Sequence, residues 1–166
     1  MKRKLTMIVA AAPLATVLIA VGCGSSQGYS AGPDSAGAPY AAADAAKVAV
    51  TKTGIGRVVV DGEGRTVYVF EGDTDSRSSC YGACAQEWPP LLTQGTPLAG
   101  SGAKQSLLGT TRRRDGAEQV TYTGRPLYRF VDDRKAGDTE GEGVQDFGAG
   151  WEAVSGAGGK IDADGS

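Results

Sequence analysis

The chain has 166 residues, of which 17 are Lys or Arg, 19 are Asp or Glu and none is His. That length suits one domain plus accessory segments, and the absence of histidine excludes Ser-His-Asp and Cys-His nucleophilic sites, His general bases and His-ligated zinc or haem. Without residues 1–22, which hold three bases and no acid, fourteen bases face nineteen acids, a charge of −5; so mildly acidic a chain offers no surface to nucleic acid.

The first element is an export signal. Lys2, Arg3 and Lys4 are followed by an uncharged apolar run, Leu5 to Val21, and by small residues before a cysteine, Ala20-Val21-Gly22-Cys23. A positive start, an apolar run and a small-residue cleavage site define a secretory signal peptide. The run contains Pro13 and is short for a membrane span. The last four residues resemble a bacterial lipobox, with Ala20 where leucine is usual. The resemblance implies cleavage before Cys23 and a diacylglyceryl anchor on its sulfur. Cysteine arithmetic agrees: of three cysteines in an exported chain, lipidation of Cys23 leaves the pair Cys80 and Cys84. Two or three acyl chains hold a protein stably at a membrane, where one would not.

Residues 23–45 carry Gly, Ser, Gln, Tyr, Ala, Pro and Asp without an apolar period and read as a flexible tether. Gly156 to Ser166 reads as a disordered tail of the same character. Between them lies the expected domain, residues 46–155.

That domain repeats itself. Thr51, Gly56, Val60, Gly64, Arg65, Tyr68, Phe70 and Asp73 recur sixty positions later as Thr111, Gly116, Val120, Gly124, Arg125, Tyr128, Phe130 and Asp133. A duplicated unit is expected, with copies at about 46–92 and 106–155. In the first, Lys47–Thr53, Arg57–Asp61 and Thr66–Glu71 are β-branched or aromatic runs separated by glycines. In the second, Leu107–Arg113, Glu118–Tyr122 and Pro126–Val131 follow the same plan, with Asp115-Gly116 as a hairpin turn. Trp151 to Ser155 is a closing strand. The fold class is mainly β: two tandem β-meander repeats packed as one small domain, with a short helix or turn near Cys84–Trp88. Alternation puts Tyr68 and Phe70 on one face of their strand and Val67 and Val69 on the other. Both faces are apolar, so this strand is expected to be central, with the aromatic faces of the two copies meeting inside.

Tyr68, Phe70 and Asp73, and again Tyr128, Phe130 and Asp133, resemble a bacterial family of secreted lipoprotein repeats with a Tyr-x4-Asp pattern, Tyr-x-Phe-x-x-Asp in its aromatic form. Cys84-Ala-x-x-Trp-Pro-Pro90 and Gly137-Asp138-Thr139 are similar to it as well. The resemblance implies an exported lipoprotein with tandem repeats; it does not imply an activity, because the family is of unknown function. The Ala and Gly content suggests an actinobacterial source.

Four groups of residues invite a chemical reading. The Tyr–Asp pairs are structural if each buried hydroxyl bonds the aspartate in the turn that follows, and functional if they edge a ligand cleft. Cys80 and Cys84 outside the membrane form a disulfide; a redox role is the rival, weakened by a spacing that is not Cys-x-x-Cys. The acidic loop 132–142, with Asp133, Asp138 and Glu140 as weak metal candidates, alternates carboxylates with glycines in a way that could wrap a hard cation, but Arg134 and Lys135 sit inside it. Arg112 to Arg114 is a basic run at a hairpin tip, read as a solvated turn in preference to a contact with anionic lipid or wall polymer.

No feature implies a cofactor or a catalytic residue. The leading expectation is a lipoprotein held through Cys23 on the extracytoplasmic face of the membrane, acting as a non-catalytic binding or structural module. Its partner would be a cell-wall polymer, a small ligand or a protein. The alternative is a redox- or metal-handling lipoprotein using Cys80 and Cys84 or the acidic loop. A glycosidase-type pair from Asp133 and Asp138 comes third.

Overall fold

A computed structural model describes residues 44–161. The signal peptide, Cys23 and nearly all of the tether lie outside the described residues, as does the chain after Ile161.

The domain is mainly β. In chain order it contains β1 (Lys47–Thr53), β2 (Gly56–Asp61), β3 (Tyr68–Phe70), α1 (Ala83–Glu87), β4 (Leu98–Ala99), a 3-10 turn (Gln105–Leu107), β5 (Leu108–Arg112), β6 (Glu118–Tyr122), β7 (Arg125–Pro126), β8 (Gln145–Asp146) and β9 (Ala149–Ala153). Three small sheets have the orders β2-β1-β4, β3-β9-β8 and β5-β6-β7. The hairpin β1–β2 pairs Val50 with Val59 and Thr53 with Gly56; the hairpin β5–β6 pairs Thr110 with Val120 and Arg112 with Glu118. Both are runs of valine, threonine and other β-formers; β1 alternates, with Val48 and Val50 in the core, whereas the last four residues of β2 and of β6 are all buried. In the second hairpin the turn closes with Gly116 at φ 86, a conformation open to glycine at little cost.

α1 is one turn and a half of good helix formers, Ala83-Cys84-Ala85-Gln86-Glu87. It ends where Trp88 precedes Pro89 and Pro90, which can neither donate into nor accommodate a further turn.

The second copy is a meander, β5-β6-β7, as its sequence pattern indicates. The first copy departs from that plan. Val67 still donates to Val59 at 3.1 Å, but β3 then pairs with β9, Tyr68 opposite Ala153 and Phe70 opposite Trp151. On its other side Tyr68 exchanges both backbone hydrogen bonds with Tyr128, at 2.8 and 2.9 Å. The expected strand Pro126–Val131 is correspondingly short. Its amides are spent elsewhere, Tyr128 on Tyr68, Arg129 on the Pro89 carbonyl and Val131 on the Glu87 carbonyl.

A pseudo-twofold relation follows. Trp151 to Ser155 of the second copy lies beside the Tyr strand of the first, with Ala153 opposite Tyr68 and Ser155 opposite Val58. Trp88 to Leu92 of the first copy lies beside the Tyr segment of the second, with Pro90 opposite Tyr128 and Leu92 opposite Gln119. Each copy therefore lends its closing segment to the other. The second lender is hidden in the sequence because Pro89 and Pro90 break the hydrogen-bond ladder.

Two apolar clusters lie on the two faces of β3. Val67 and Val69 join Val48, Val50, Val59, Leu91, Val120, Tyr122, Leu127 and Val154. Tyr68 and Phe70 join the cluster of Trp88, Trp151, Tyr128 and both cysteines. All three residues of β3 are buried, as a central strand requires. Within the aromatic cluster Phe70, Trp151, Trp88 and Phe130 form a stack with centroid separations of 4.3, 4.0 and 4.2 Å. Each phenylalanine thus stacks on the tryptophan of the other copy. Tyr68 stands edge-on to Trp88 at 5.5 Å, and Tyr128 to Trp151 at 5.2 Å. Such pairs contribute about 0.5–1.5 kcal/mol each beyond their buried area. Both indole N–H groups are buried without a hydrogen-bond partner, at a cost of about 1–3 kcal/mol apiece.

Gly156 to Ile161, assigned to the tail on composition, folds back onto the domain. Tyr122 donates to the Gly156 carbonyl at 3.0 Å, Ser155 pairs with Gly159, and Lys160 meets Glu71 and Glu152.

Candidate functional site

The repeat-motif residues come together, but across the copies. The Tyr68 hydroxyl donates to Asp133 Oδ2 at 2.6 Å. The Tyr128 hydroxyl donates to Asp73 Oδ2 at 2.7 Å. The aspartate that follows each tyrosine in sequence serves the other tyrosine instead. Pairing Tyr68 opposite Tyr128 in antiparallel sense carries each ring toward the loop of the opposite copy. The other oxygen of each carboxylate holds its own loop: Asp73 Oδ1 accepts the Ser79 amide at 2.7 Å and the Ser79 hydroxyl at 2.8 Å, and Asp133 Oδ1 accepts the Glu140 amide at 2.9 Å.

Burial, which penalises the charged form, pushes the carboxyls of Asp73 and Asp133 above the usual range. It pushes the Tyr68 hydroxyl far up, helped by the Asp133 beside it, and does the same to Tyr128 beside Asp73. Each aspartate thus has one oxygen on the tyrosine of the other copy and one on its own loop, as a structural pair needs.

Cys80 and Cys84 are joined by a disulfide, with Sγ atoms 1.97 Å apart. They are 1% and 6% exposed and belong to the aromatic cluster. The carbonyl of Cys80 accepts from Arg113 at 2.9 Å. The acidic loop is a tied loop: Asp138 Oδ2 accepts the amides of Arg134 and Lys135 at 3.0 and 2.9 Å, Asp133 is occupied as above, and Glu140 is exposed. Among the described residues, no group of three His, Cys, Asp or Glu side chains could hold a metal ion. Gly141 lies against the rings, where a Cβ would meet Tyr68 Cζ at 2.8 Å and Trp88 at 3.0 Å.

Open space on the domain meets this network at Asp133. A cleft of about 710 Å³ is bordered by Lys47, Glu63, Arg65, Pro89, Arg129 and Asp133. Two of its arginines are tied to Asp61, which is 2% exposed. Asp61 Oδ1 accepts the amides of Glu63 and Arg65 at 2.9 and 3.0 Å, and Oδ2 accepts Arg65 Nε at 3.2 Å and Arg129 Nε at 2.7 Å. The buried carboxylate thereby sets the orientation of two half-exposed guanidinium groups. Planar guanidinium forks beside prolines and leucines suit an anionic group carried on an apolar body. Sequence reading missed Asp61 and Arg129. The available signal was asymmetry: Arg129 stands where the first copy has Val69, and Asp61 where the second has Thr121.

No curated protein and no solved structure matches the chain. A family model described as a secreted repeat of unknown function matches residues 49–92 and again 109–155. Both matches end in the Trp-containing segments that the copies exchange. The chain belongs to this family of secreted repeats and carries two of them as the interlocked halves of one β domain.

Proposed function

We propose that the protein is an extracytoplasmic lipoprotein, anchored to the outer face of the cell membrane by acyl chains on Cys23, whose β domain is a non-catalytic binding module. The export reading rests on the charged start, the apolar run and the small residues before Cys23, and accords with membership of a secreted family. The observation that carries the non-catalytic reading is the closure of the two Tyr–Asp pairs: each hydroxyl bonds the aspartate of the other copy, and each aspartate also accepts from the backbone of its own loop. One outward-facing surface for a partner is the cleft beside Asp61, with Arg65 and Arg129 at its edge.

The test uses the full chain in its own host. Wild-type protein is expected in the detergent-rich phase on phase partitioning, and the Cys23→Ala variant in the aqueous phase or as uncut precursor. The exported Cys23→Ala chain is then mixed with isolated cell envelopes. Retention that falls at least about tenfold on adding Arg129→Glu, a change of about 1.4 kcal/mol, supports binding at the cleft. Wild-type partitioning into the aqueous phase overturns the anchor; retention indifferent to Arg129 overturns the cleft.

A further inference from the structure

A second groove, of about 780 Å³, lies between the loop that leads into the disulfide and the tip of the β5–β6 hairpin. Arg77, Arg112 and Arg114 line it together with Ser79, Tyr81 and Thr111, and no carboxylate does. In a chain with more acids than bases, this concentration of guanidinium groups is unusual. Arg77, Arg112 and Arg114 are exposed and make no ion pair among the described residues. Glu118 stands opposite Arg112 across the hairpin without bonding it, and lines a different groove. Asp115 is taken up by Arg113.

The frame behind these arginines is rigid. Arg113 is 4% exposed. Its Nη1 donates to Ser78 Oγ at 2.6 Å and Gln119 Oε1 at 2.7 Å, its Nη2 to the Cys80 carbonyl at 2.9 Å, and its Nε to Asp115 at 3.3 Å. It is a strut between hairpin and disulfide loop, with four of its five N–H donors spent on the protein. Tyr81, inside the disulfide ring, clasps the hairpin tip. The Arg113 and Arg114 guanidiniums lie 4.3 and 4.0 Å from its ring centroid, and its hydroxyl accepts the Arg114 amide at 3.0 Å. On the other side, Arg77 closes a tight turn with Thr74 whose two central residues, Asp75 and Ser76, have φ of 50 and 58°. Non-glycine residues adopt this region at a cost of about 1–3 kcal/mol each, and persist there where the surroundings impose it, often at binding sites. The strained turn, the disulfide and the buried arginine together hold three unpaired arginines around one opening.

We propose that this groove binds phosphate groups, with Arg77, Arg112 and Arg114 as the recognising residues and Arg113 and Tyr81 as positioning residues. Phosphate fits because a guanidinium fork donates two parallel hydrogen bonds to two of its oxygens, and three such forks around one groove match a repeated or multiply charged phosphate better than a single carboxylate. Two sources carry this chemistry: a soluble phosphate polymer and the headgroup of an anionic lipid. The inference rests on the reading of the domain as a binding module and names a ligand class for it, at a surface separate from the Arg129 cleft.

The experiment is calorimetric titration of the full chain in zwitterionic detergent with three probes: polyphosphate, short-chain phosphatidylglycerol and short-chain phosphatidylcholine. Polyphosphate is expected to bind with an affinity that falls steeply with added salt. The triple variant R77Q/R112Q/R114Q, folded by circular dichroism, is expected to lose at least about tenfold in affinity. Binding of phosphatidylglycerol as well, but not of phosphatidylcholine, assigns the site to headgroups; binding of polyphosphate alone assigns it to a polymer. No binding of either anionic probe, or unchanged binding by the triple variant, overturns the proposal. In that event retention on envelopes through Arg129 still decides the binding-module reading, so the two failures are distinguishable.

Discussion

Tyr68 and Asp133 are 65 positions apart and share a 2.6 Å hydrogen bond, while Asp73, five positions from Tyr68, bonds Tyr128 instead. The repeat motif is therefore satisfied only by the pair of repeats. Energetic coupling should follow the same lines. In a double-mutant cycle by urea unfolding, Tyr68→Phe and Asp133→Ala are expected to couple by about 1–2 kcal/mol, and Tyr68→Phe with Asp73→Ala by less than about 0.5 kcal/mol. Coupling within a copy that matched coupling between copies would contradict the exchange.

The same pairs set the response to alkali. The folded pKa of Tyr68 and of Tyr128 lies above the ordinary value of 10.0. The folded chain thus binds more protons than the unfolded one once pH exceeds that value. Stability from these two groups is complete below pH 10 and is lost as pH rises beyond it. Ultraviolet titration should show Tyr68 and Tyr128 ionising only together with loss of the fold. Replacing both by phenylalanine should flatten the alkaline limb of the stability curve. Asp73 and Asp133 carry raised values too, so their ionisation on the way up from acid pH opposes folding, and they do not drive acid unfolding.

Burial decides the fate of the disulfide. With Cys80 and Cys84 beneath the surface, native protein should resist thiol labelling after exposure to mild reductant and become reactive only in denaturant. Cys80→Ala with Cys84→Ala should cost less than the roughly 3 kcal/mol that a 15-residue loop would provide, with the largest rise in hydrogen exchange around Tyr81 and the Arg112–Arg114 tip. Fast reversible labelling without denaturant would favour the redox reading.

Gly141 has no room for a side chain. Gly141→Ala places a methyl 2.8 Å from the Tyr68 ring and should cost about 1–3 kcal/mol by overpacking. Gly54→Ala, where a Cβ meets nothing within 4 Å, is the control and should change stability by no more than about 0.5 kcal/mol.

Much of the fold is legible in the residues. Alternating β-branched runs mark Lys47–Thr53 and Glu118–Tyr122 at their observed ends, and the Ala-Cys-Ala-Gln-Glu run before Pro89 marks α1. The two apolar faces around Tyr68 also follow from alternation. What local pattern cannot carry is the identity of the partner. A tyrosine with an aspartate five residues on reads as a local pair, and only the opposition of Tyr68 to Tyr128 redirects both hydroxyls. Likewise Pro89-Pro90 reads as a loop, though it occupies the place that Glu152-Ala153 fills in the other copy. At the cleft, Arg129 interrupts the otherwise apolar run 126–131 beyond the end of β7, and its partner Asp61 ends a strand that reads as ordinary β edge.

The lending of Trp88–Leu92 and Trp151–Ser155 between the copies has a bearing on descent. A polypeptide of half this length would own a tyrosine without an acceptor and a tryptophan without its phenylalanine, and a sister molecule would supply both. The present gene product reads as such a self-complementary twosome fused head to tail, the isologous contact of a homodimer made permanent by a covalent joint. Residues 93–107 are that joint. Once it existed, the halves were free to diverge, and the departures that matter most, Asp61 against Thr121 and Arg129 against Val69, are differences that a symmetric ancestor could not have had.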